Sequence, residues 1–262
     1  MGKNKEYGEG TMMRGVLLAL QFFTIFPINK ELNMNRKSVT IMFATLPWIG
    51  GAFGLITSIV WLSLDASPLF LAFTIVLIGI VLSGGLHLDG FADTSDAFFS
   101  YRNQDKRHEI LADPRIGAFG TMALLFLIVG KIILLTEIIT QDGMSWQWLV
   151  VIPFLARVGM VYFFIITPEA RDKGLAAFFK KRFHSQALLI AIWISIATAV
   201  GFIVIVGGAV LVAITTLVAL FICAHVYKLW TKKHFGGVTG DVSGAFVEGM
   251  EVVLWLLIFI LL

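Results

Sequence analysis

Residues 117–139 read GAFGTMALLFLIVGKIILLTEII, an apolar run with only two charged residues, Lys131 and Glu137. A helix needs about 20 consecutive apolar residues to cross a bilayer core, so this stretch has spanning length. Comparable runs occur at 40–64, 68–88, 146–167, 185–206 and 208–230. A shorter run at 252–262 reaches spanning length only when it is extended back through Phe246. The sequence therefore predicts an all-α polytopic membrane bundle of about seven transmembrane helices.

The composition of the 262-residue chain excludes other classes of protein. Apolar residues make up 58% of the chain and charged residues 14%, an excess of apolar side chains over a soluble protein. A disordered chain would instead be poor in apolar residues. The runs lack the alternation of barrel strands, so the spans are expected to be helices. We treat residues 1–262 as one integral membrane domain, in which the single cysteine, Cys223, is expected to be a packed small hydrophobe.

The distribution of charge orients the bundle. Of the 20 basic residues, all except Lys131 and Arg157 fall in segments on one side of the seven-span arrangement. The positive-inside rule makes that side cytoplasmic and predicts a multi-pass protein of the cytoplasmic (inner) membrane. The adjacent glycines at 207 and 208 are the expected turn between the last two long runs.

The N-terminal run 14–28 is shorter than a span. A signal peptide would need a basic N-terminal region, but this region contains the acidic residues Glu6 and Glu9, and no small-residue cleavage site follows. An interfacial or re-entrant helix is therefore expected here.

An acidic motif follows the second span, where residues 87–96 read HLDGFADTSD. Asp89, Asp93 and Asp96 stand at i, i+4 and i+7, so on a helix they share one face. Such carboxylates repel one another, and a bound Mg²⁺ would offset the repulsion because this ion prefers carboxylate oxygens. The alternative is a solvated face paired with neighbouring basic residues. His87 is a candidate metal ligand, proton carrier or interfacial histidine.

A second polar stretch, residues 236–244, reads GGVTGDVSG. Four glycines leave backbone N–H groups exposed, and such a loop can hold phosphate oxygens. A flexible connection or close helix packing through small residues is the alternative. Since both polar stretches lie on the predicted cytoplasmic side, we expect them to form one site.

Isolated charged residues suggest further contacts. Asp113 is expected to cap the third span, with Pro114 at its first position. Arg115 lies near a helix N-terminus, where a cation is unfavourable, and so is expected to face an anion. In the spans, Arg157 is a candidate for a buried structural or anion contact. Lys131 and Glu137 are not at helical pair spacing, and either could snorkel towards the outer face.

Carboxylates for Mg²⁺, basic side chains and a glycine-rich loop are the parts that phosphoryl-group transfer requires. Residues 84–96, GGLHLDGFADTSD, resemble the signature of the cobalamin synthase family, the adenosylcobinamide-GDP ribazoletransferases. The stretches 20–27, 113–120 and 237–245 match the same family in the right order. The resemblance covers nearly the whole chain.

The resemblance implies an integral membrane, Mg²⁺-dependent enzyme. Its substrates would be adenosylcobinamide-GDP and α-ribazole, or α-ribazole 5′-phosphate, and GMP would leave. The resemblance also implies roles for particular residues. The metal ligands would be Asp89, Asp93 and Asp96; the catalytic residues would be His87 and Asp241; and the phosphate-binding residues would be Lys106, Arg107, Arg115, Gly236, Gly237, Thr239 and Gly240.

Two other functions stay open at this stage. A CDP-alcohol-type lipid phosphotransferase carries a related motif with an arginine after its alanine, but here Asp93 follows Ala92. A divalent-cation transporter predicts charges deep in several spans, whereas the acids here are expected at one membrane face. Membrane lipid is an expected partner and nucleic acid is not, because the basic residues follow the topology. The sequence leaves homo-oligomerisation open.

Overall fold

The computed structural model describes residues 10–207 and 210–261, and within these ranges the chain folds into eleven helices without a strand. The helices are α1 Thr11–Phe23, α2 Arg36–Ser63, α3 Pro68–Ser83, α4 Leu86–Phe99, α5 Gln104–Leu111, α6 Ala118–Thr140, α7 Trp146–Ile166, α8 Leu175–Lys180, α9 Ser185–Gly207, α10 Val210–Phe235 and α11 Gly240–Leu261. Six of these are long and apolar enough to cross a membrane, and α3 with α4 forms a bent seventh candidate. The predicted all-α polytopic fold is confirmed.

The predicted second span, 68–88, is wrong at its C-terminal end. α3 ends at Ser83, and α4 leaves it at an angle of 92°. Gly84 and Gly85 both adopt positive φ, and their N–H groups donate to the carbonyls of Val81 and Ile80 at 3.0 Å. This is the Schellman pattern, for which glycine is favoured because it lacks a Cβ. The acidic motif therefore lies on a separate helix rather than on an extension of the span.

The last span is longer than the predicted 252–262, since α11 runs from Gly240 over 22 residues. Its first half contains small and acidic residues, which lower the hydropathy of the sequence. In the fold these residues, including Gly244 and Glu248, are buried against other helices rather than exposed to lipid. Protein neighbours therefore replace the lipid that a hydropathy argument assumes.

The centre of the bundle is the contact between α2 and α7. A Cβ on Gly50 would collide with the Pro153 carbonyl, and one on Gly54 would collide with Leu149 and Val150. The two glycines thus let the backbones approach closely, as small residues do in membrane helix pairs. α7 is the most buried of the candidate spans, whereas much of α6 faces outward.

The short helix α1 lies against α2. Leu18 and Ala19 are fully buried, whereas Met12 and Met13 are exposed. The prediction of a short N-terminal helix is confirmed, with bounds that precede those of the 14–28 run. Glu6 and Glu9, and the second glycine of the predicted 207–208 turn, lie outside the described residues.

Charged side chains meet inside the bundle. Lys131 of α6 donates to Glu248 at 2.6 Å and to Glu251 at 2.8 Å, both on α11. Arg157 of α7 pairs with Glu251. Lys131 therefore does not snorkel, and the expectation that the acids lie only at one membrane face is wrong. Arg157 makes the buried contact that was expected, and Glu137 is exposed.

Candidate active site

The two polar motifs of the sequence meet where α4 crosses the start of α11. A Cβ on Gly90 would lie 2.7 Å from the carbonyl oxygen of Asp241, and one on Gly244 would lie 3.2 Å from the His87 backbone. These glycines let the two helices touch backbone to backbone. Asp89, at the start of α4, and Asp241, at the start of α11, consequently line the same cavity.

Asp93 lies one turn after Asp89 on α4. It is partly buried and interacts electrostatically with Asp89, Asp241 and Asp96. The i, i+4 relationship predicted from the sequence thus holds, and it gathers a negative potential at the crossing of α4 and α11. Within residues 10–207 and 210–261, however, no three His, Cys, Asp or Glu side chains are arranged as a complete metal-ligand set.

Asp96 has a different partner from the other acids of the motif. Its carboxylate accepts hydrogen bonds from the backbone N–H groups of Gly117, at 2.7 Å, and Gly120, at 2.8 Å. These are unsatisfied donors at the N-terminus of α6, where a negative charge also complements the helix dipole. Asp96 therefore fastens α4 to α6.

The predicted cap at Asp113 is wrong, because α6 begins at Ala118 and its N-terminal donors go to Asp96. Asp113 instead pairs with Arg115, whose Nε and a terminal nitrogen donate to it at 2.9 and 2.6 Å. These hydrogen bonds lower the pKa of Asp113 to about 2. Residues 113–117 are non-helical, and Pro114 disfavours the helical conformation at Asp113, the residue before it.

The glycine-rich loop is held by backbone pairing with the segment that follows α7. Val238 donates to the Pro168 carbonyl at 2.8 Å, and Ala170 donates to the Val238 carbonyl at 3.2 Å. Gly237 packs against Pro168 so closely that a Cβ would collide. Thr239 precedes α11 and caps its first turn, since its hydroxyl accepts from the Val242 N–H at 3.1 Å. The loop is therefore ordered and not simply a flexible connection.

A cavity of about 270 Å³ opens beside this loop, which we call the cationic cavity. Arg171 and Lys173 line it together with Thr239, Gly240 and Asp241. From the sequence these two cations contribute only to the topology prediction. No sequence signal shows that the 168–174 segment lies beside the glycine-rich loop, since the two are far apart along the chain.

His108 also lines the cationic cavity. Its Nε2 lies 2.8 Å from the Phe235 carbonyl. Burial, followed by the charge of Arg171, lowers the pKa of His108. Both effects favour the neutral form of His108 in the cavity.

The three predicted phosphate-binding cations lie elsewhere. Lys106 pairs with Glu109 on the exposed side of α5. Arg107 is buried, where it donates to the His234 carbonyl at 3.1 Å and lies over the rings of Phe98 and Phe235. Arg115 is exposed beside Asp113. None of them lines the cationic cavity, and their contact with phosphate stays a prediction.

A second cavity, of about 170 Å³, lies on the other side of Asp241, and we call it the aromatic cavity. Rings from four helices form much of its wall: Phe22, Phe23, Phe43, Phe164 and Phe179. His87, Asp89, Asp241 and Ser243 supply its polar side chains. The two cavities share Leu175, Ala176, Gly240 and Asp241 as a boundary.

These features define a polytopic α-helical membrane protein whose acidic site separates a cationic cavity from an aromatic one. The chain belongs to the cobalamin-5-phosphate synthase family, whose model matches residues 15–259. It is 34% identical to the adenosylcobinamide-GDP ribazoletransferase of Geobacillus sp. (strain WCH70), an alignment covering 94% of this chain and 95% of that protein.

Other relatives carry the same name. The adenosylcobinamide-GDP ribazoletransferase of Geobacillus kaustophilus is 36% identical, with 94% of this chain and 95% of that protein covered. That of Clostridioides difficile is 29% identical, with 95% and 98% covered. No solved structure matches the chain.

Proposed function

We propose that this protein is an adenosylcobinamide-GDP ribazoletransferase. A ribose hydroxyl oxygen of α-ribazole, or of its 5′-phosphate, bonds to the cobinamide-side phosphorus of adenosylcobinamide-GDP. The bond from that phosphorus to the bridging oxygen breaks, and GMP leaves. The products are GMP and adenosylcobalamin, or its 5′-phosphate. The observation that carries the proposal is the meeting of two chemically different cavities at Asp241.

The cationic cavity suits the diphosphate of the donor. Arg171 and Lys173 supply positive charge, and the ordered backbone at Gly240 lies beside them. Charge-assisted hydrogen bonds to phosphate oxygens are stronger than neutral ones. The phosphate contacts that the resemblance placed on Lys106, Arg107 and Arg115 are in this proposal made by Arg171 and Lys173.

The carboxylates fit a Mg²⁺ ion that is held jointly by protein and substrate. Asp89 and Asp93 on α4 would be its protein ligands. Mg²⁺ commonly binds to one or two carboxylates, waters and substrate phosphates rather than to an all-protein cage. Two neighbouring carboxylates without a complete ligand set agree with that coordination preference. When bound, the ion would neutralise charge on the diphosphate.

The proton of the attacking hydroxyl is accepted by Asp241 in this proposal. Asp241 lines both cavities, so it lies where acceptor and donor meet, whereas His87 lines only the aromatic cavity. A general base must be within hydrogen-bonding reach of the proton that it removes, which favours Asp241. His87 is then a buried residue of the wall of the aromatic cavity.

The active site faces the cytoplasm of the cell that makes the enzyme. Successive spans alternate in direction, so α2 and α11 begin, and α7 and α10 end, on the side that carries the basic loops. The positive-inside rule assigns that side to the cytoplasm. Lipid then contacts the outward-facing surfaces of α6, α9 and α10, which are the least buried of the candidate spans.

The proposal is tested with the whole protein purified into liposomes. Adenosylcobinamide-GDP, α-ribazole and Mg²⁺ are supplied, and GMP and corrinoid products are separated by chromatography. We expect equal amounts of GMP and a new corrinoid, and no product after EDTA treatment until Mg²⁺ is restored. Product formation unaffected by EDTA would overturn the metal assignment. Absence of product with both forms of ribazole would overturn the reaction.

A further inference from the structure

We propose that the aromatic cavity binds the aromatic base of the ribazole acceptor and thereby places its ribose at Asp241. The inference rests on the proposed function and adds to it the position of one substrate.

The walls of the cavity are built from aromatic rings that pack against one another. Phe43 stacks on Phe164 with ring centroids 4.9 Å apart. Phe179 meets Phe22 and Phe43 edge to face, both at 5.6 Å. Aromatic rings gain from such offset and edge contacts with another ring. In size the cavity, about 170 Å³, resembles the cavity of about 150 Å³ in another protein that binds benzene.

The polar side chains of the cavity all come from the two helices that cross there, α4 and α11. His87 and Asp89 come from the start of α4, and Asp241 and Ser243 come from the start of α11. The Ser243 hydroxyl is already engaged, since it donates to the Thr239 carbonyl at 2.8 Å. An apolar base would occupy the aromatic end and direct a sugar towards Asp241.

Guanine, the other base in the reaction, fits this cavity less well. Its ring edge carries several hydrogen-bond donors and acceptors, and phenylalanine walls offer them no partners. Each buried polar group without a partner costs about 1–3 kcal/mol. A benzimidazole-type base has no amino or carbonyl groups on its ring and avoids that cost. Guanine also belongs to the donor, whose phosphates match the cationic cavity.

The boundary between the cavities then has a defined role. Leu175, Ala176, Gly240 and Asp241 line both. With the base on one side and the diphosphate on the other, the ribose hydroxyl and the phosphorus meet at this boundary. The helix α1 contributes Phe22 and Phe23, so the short N-terminal helix forms part of the acceptor site.

The test compares the KM of each substrate in two cavity variants. Met160 lines the cavity and is buried, so Met160→Phe should fill it. Phe22→Ala should open it from α1. In both variants we expect the KM for α-ribazole to rise about tenfold or more while the KM for adenosylcobinamide-GDP changes little. Met122→Phe is the matched control, because Met122 is exposed on α6 and lines neither cavity.

A second readout separates ring binding from a loss of structure. Ribosides of a small and a large benzimidazole are compared by kcat/KM. Met160→Phe should shift the preference towards the small base, and Phe22→Ala towards the large one. Opposite shifts cannot arise from general destabilisation. If Met160→Phe does not fold, the shift in Phe22→Ala decides.

The failures of the two proposals are distinguishable. A wild-type protein that makes no product overturns the proposed function. A wild-type protein that is active, with variants in which only the donor KM rises, shows that the cavity holds guanine and overturns this inference. Unchanged KM values for both substrates in the two variants overturn it as well.

Discussion

Gly90 of α4 lies against the backbone of Asp241 of α11, with room for a hydrogen but not for a Cβ, which would be 2.7 Å from the Asp241 carbonyl oxygen. This contact is the point at which the two polar motifs of the sequence become one site. The distance between the carboxylates of α4 and Asp241 therefore depends on glycine at position 90.

We expect Gly90→Ala to separate α4 from α11. The added methyl group must push against backbone, and overpacking of this kind costs about 1–3 kcal/mol of folding free energy. The turnover number should fall about 100-fold, because a misplacement of about 1 Å can cost that much. Steady-state kinetics and thermal unfolding in detergent measure the two effects.

Gly130→Ala is the control for that change, since a Cβ at Gly130 meets no atom within 4 Å. It should leave activity near the wild-type value and should not lower stability, since alanine in a helix is more stable than glycine by about 0.5–1 kcal/mol. Wild-type kinetics in Gly90→Ala would contradict the proposed dependence of the site on this close approach.

Asp89 and Asp96 should respond differently to the same chemical change. Asp96→Asn weakens the capping of α6 and should lower the free energy of unfolding by about 1 kcal/mol. Asp89→Asn removes a charge at the cavity wall and should abolish Mg²⁺-dependent turnover while leaving the unfolding transition in place. A series of thermal melts and of Mg²⁺ titrations of activity separates the two roles. Equal effects of the two substitutions on both measurements would refute the separate roles of Asp89 and Asp96.

Removal of the Glu251 charge should destabilise the bundle. Glu251→Gln removes the anion that pairs with Arg157 and one of the two that pair with Lys131. Breaking a buried ion pair at one partner typically costs about 3–5 kcal/mol. The midpoint of thermal unfolding in detergent, followed by circular dichroism, should therefore fall strongly.

Glu137→Gln serves as the comparison for Glu251→Gln. Glu137 is exposed on α6, the same helix that carries Lys131. Its substitution should change the unfolding free energy by less than about 0.5 kcal/mol. An equal fall in both variants would show that the buried network does not hold α6, α7 and α11 together.

Arg171 is expected to bind the donor diphosphate. Arg171→Ala should raise the KM for adenosylcobinamide-GDP about tenfold, since a hydrogen bond to a charged group contributes about 1.5–3 kcal/mol. Lys106→Ala removes a cation that pairs with Glu109 away from the cavity, so it should change that KM little. Initial-rate measurements at saturating ribazole compare the two variants. A larger rise of the KM in Lys106→Ala than in Arg171→Ala would restore Lys106 as the phosphate-binding residue.

Much of the fold follows from the sequence alone. Runs of apolar residues have only one way to satisfy their backbone in lipid, so the starts of α6, α7 and α9 fall within one residue of the predictions. The family resemblance likewise needs only the order of short motifs. The sequence could not reveal the bend at Gly84 and Gly85, because glycine permits a positive φ without requiring it.

Tertiary structure alone decided which charges belong to the site. Asp89, Asp93 and Asp96 look equivalent by spacing, yet the Asp96 carboxylate accepts hydrogen bonds from the N-terminus of α6. Arg107 and Arg171 look equivalent by charge, yet the first is buried against α10 and the second lines the cationic cavity. Local periodicity determines which face of a helix a residue occupies. What that face meets depends on contacts between segments far apart in the chain, which no local pattern encodes.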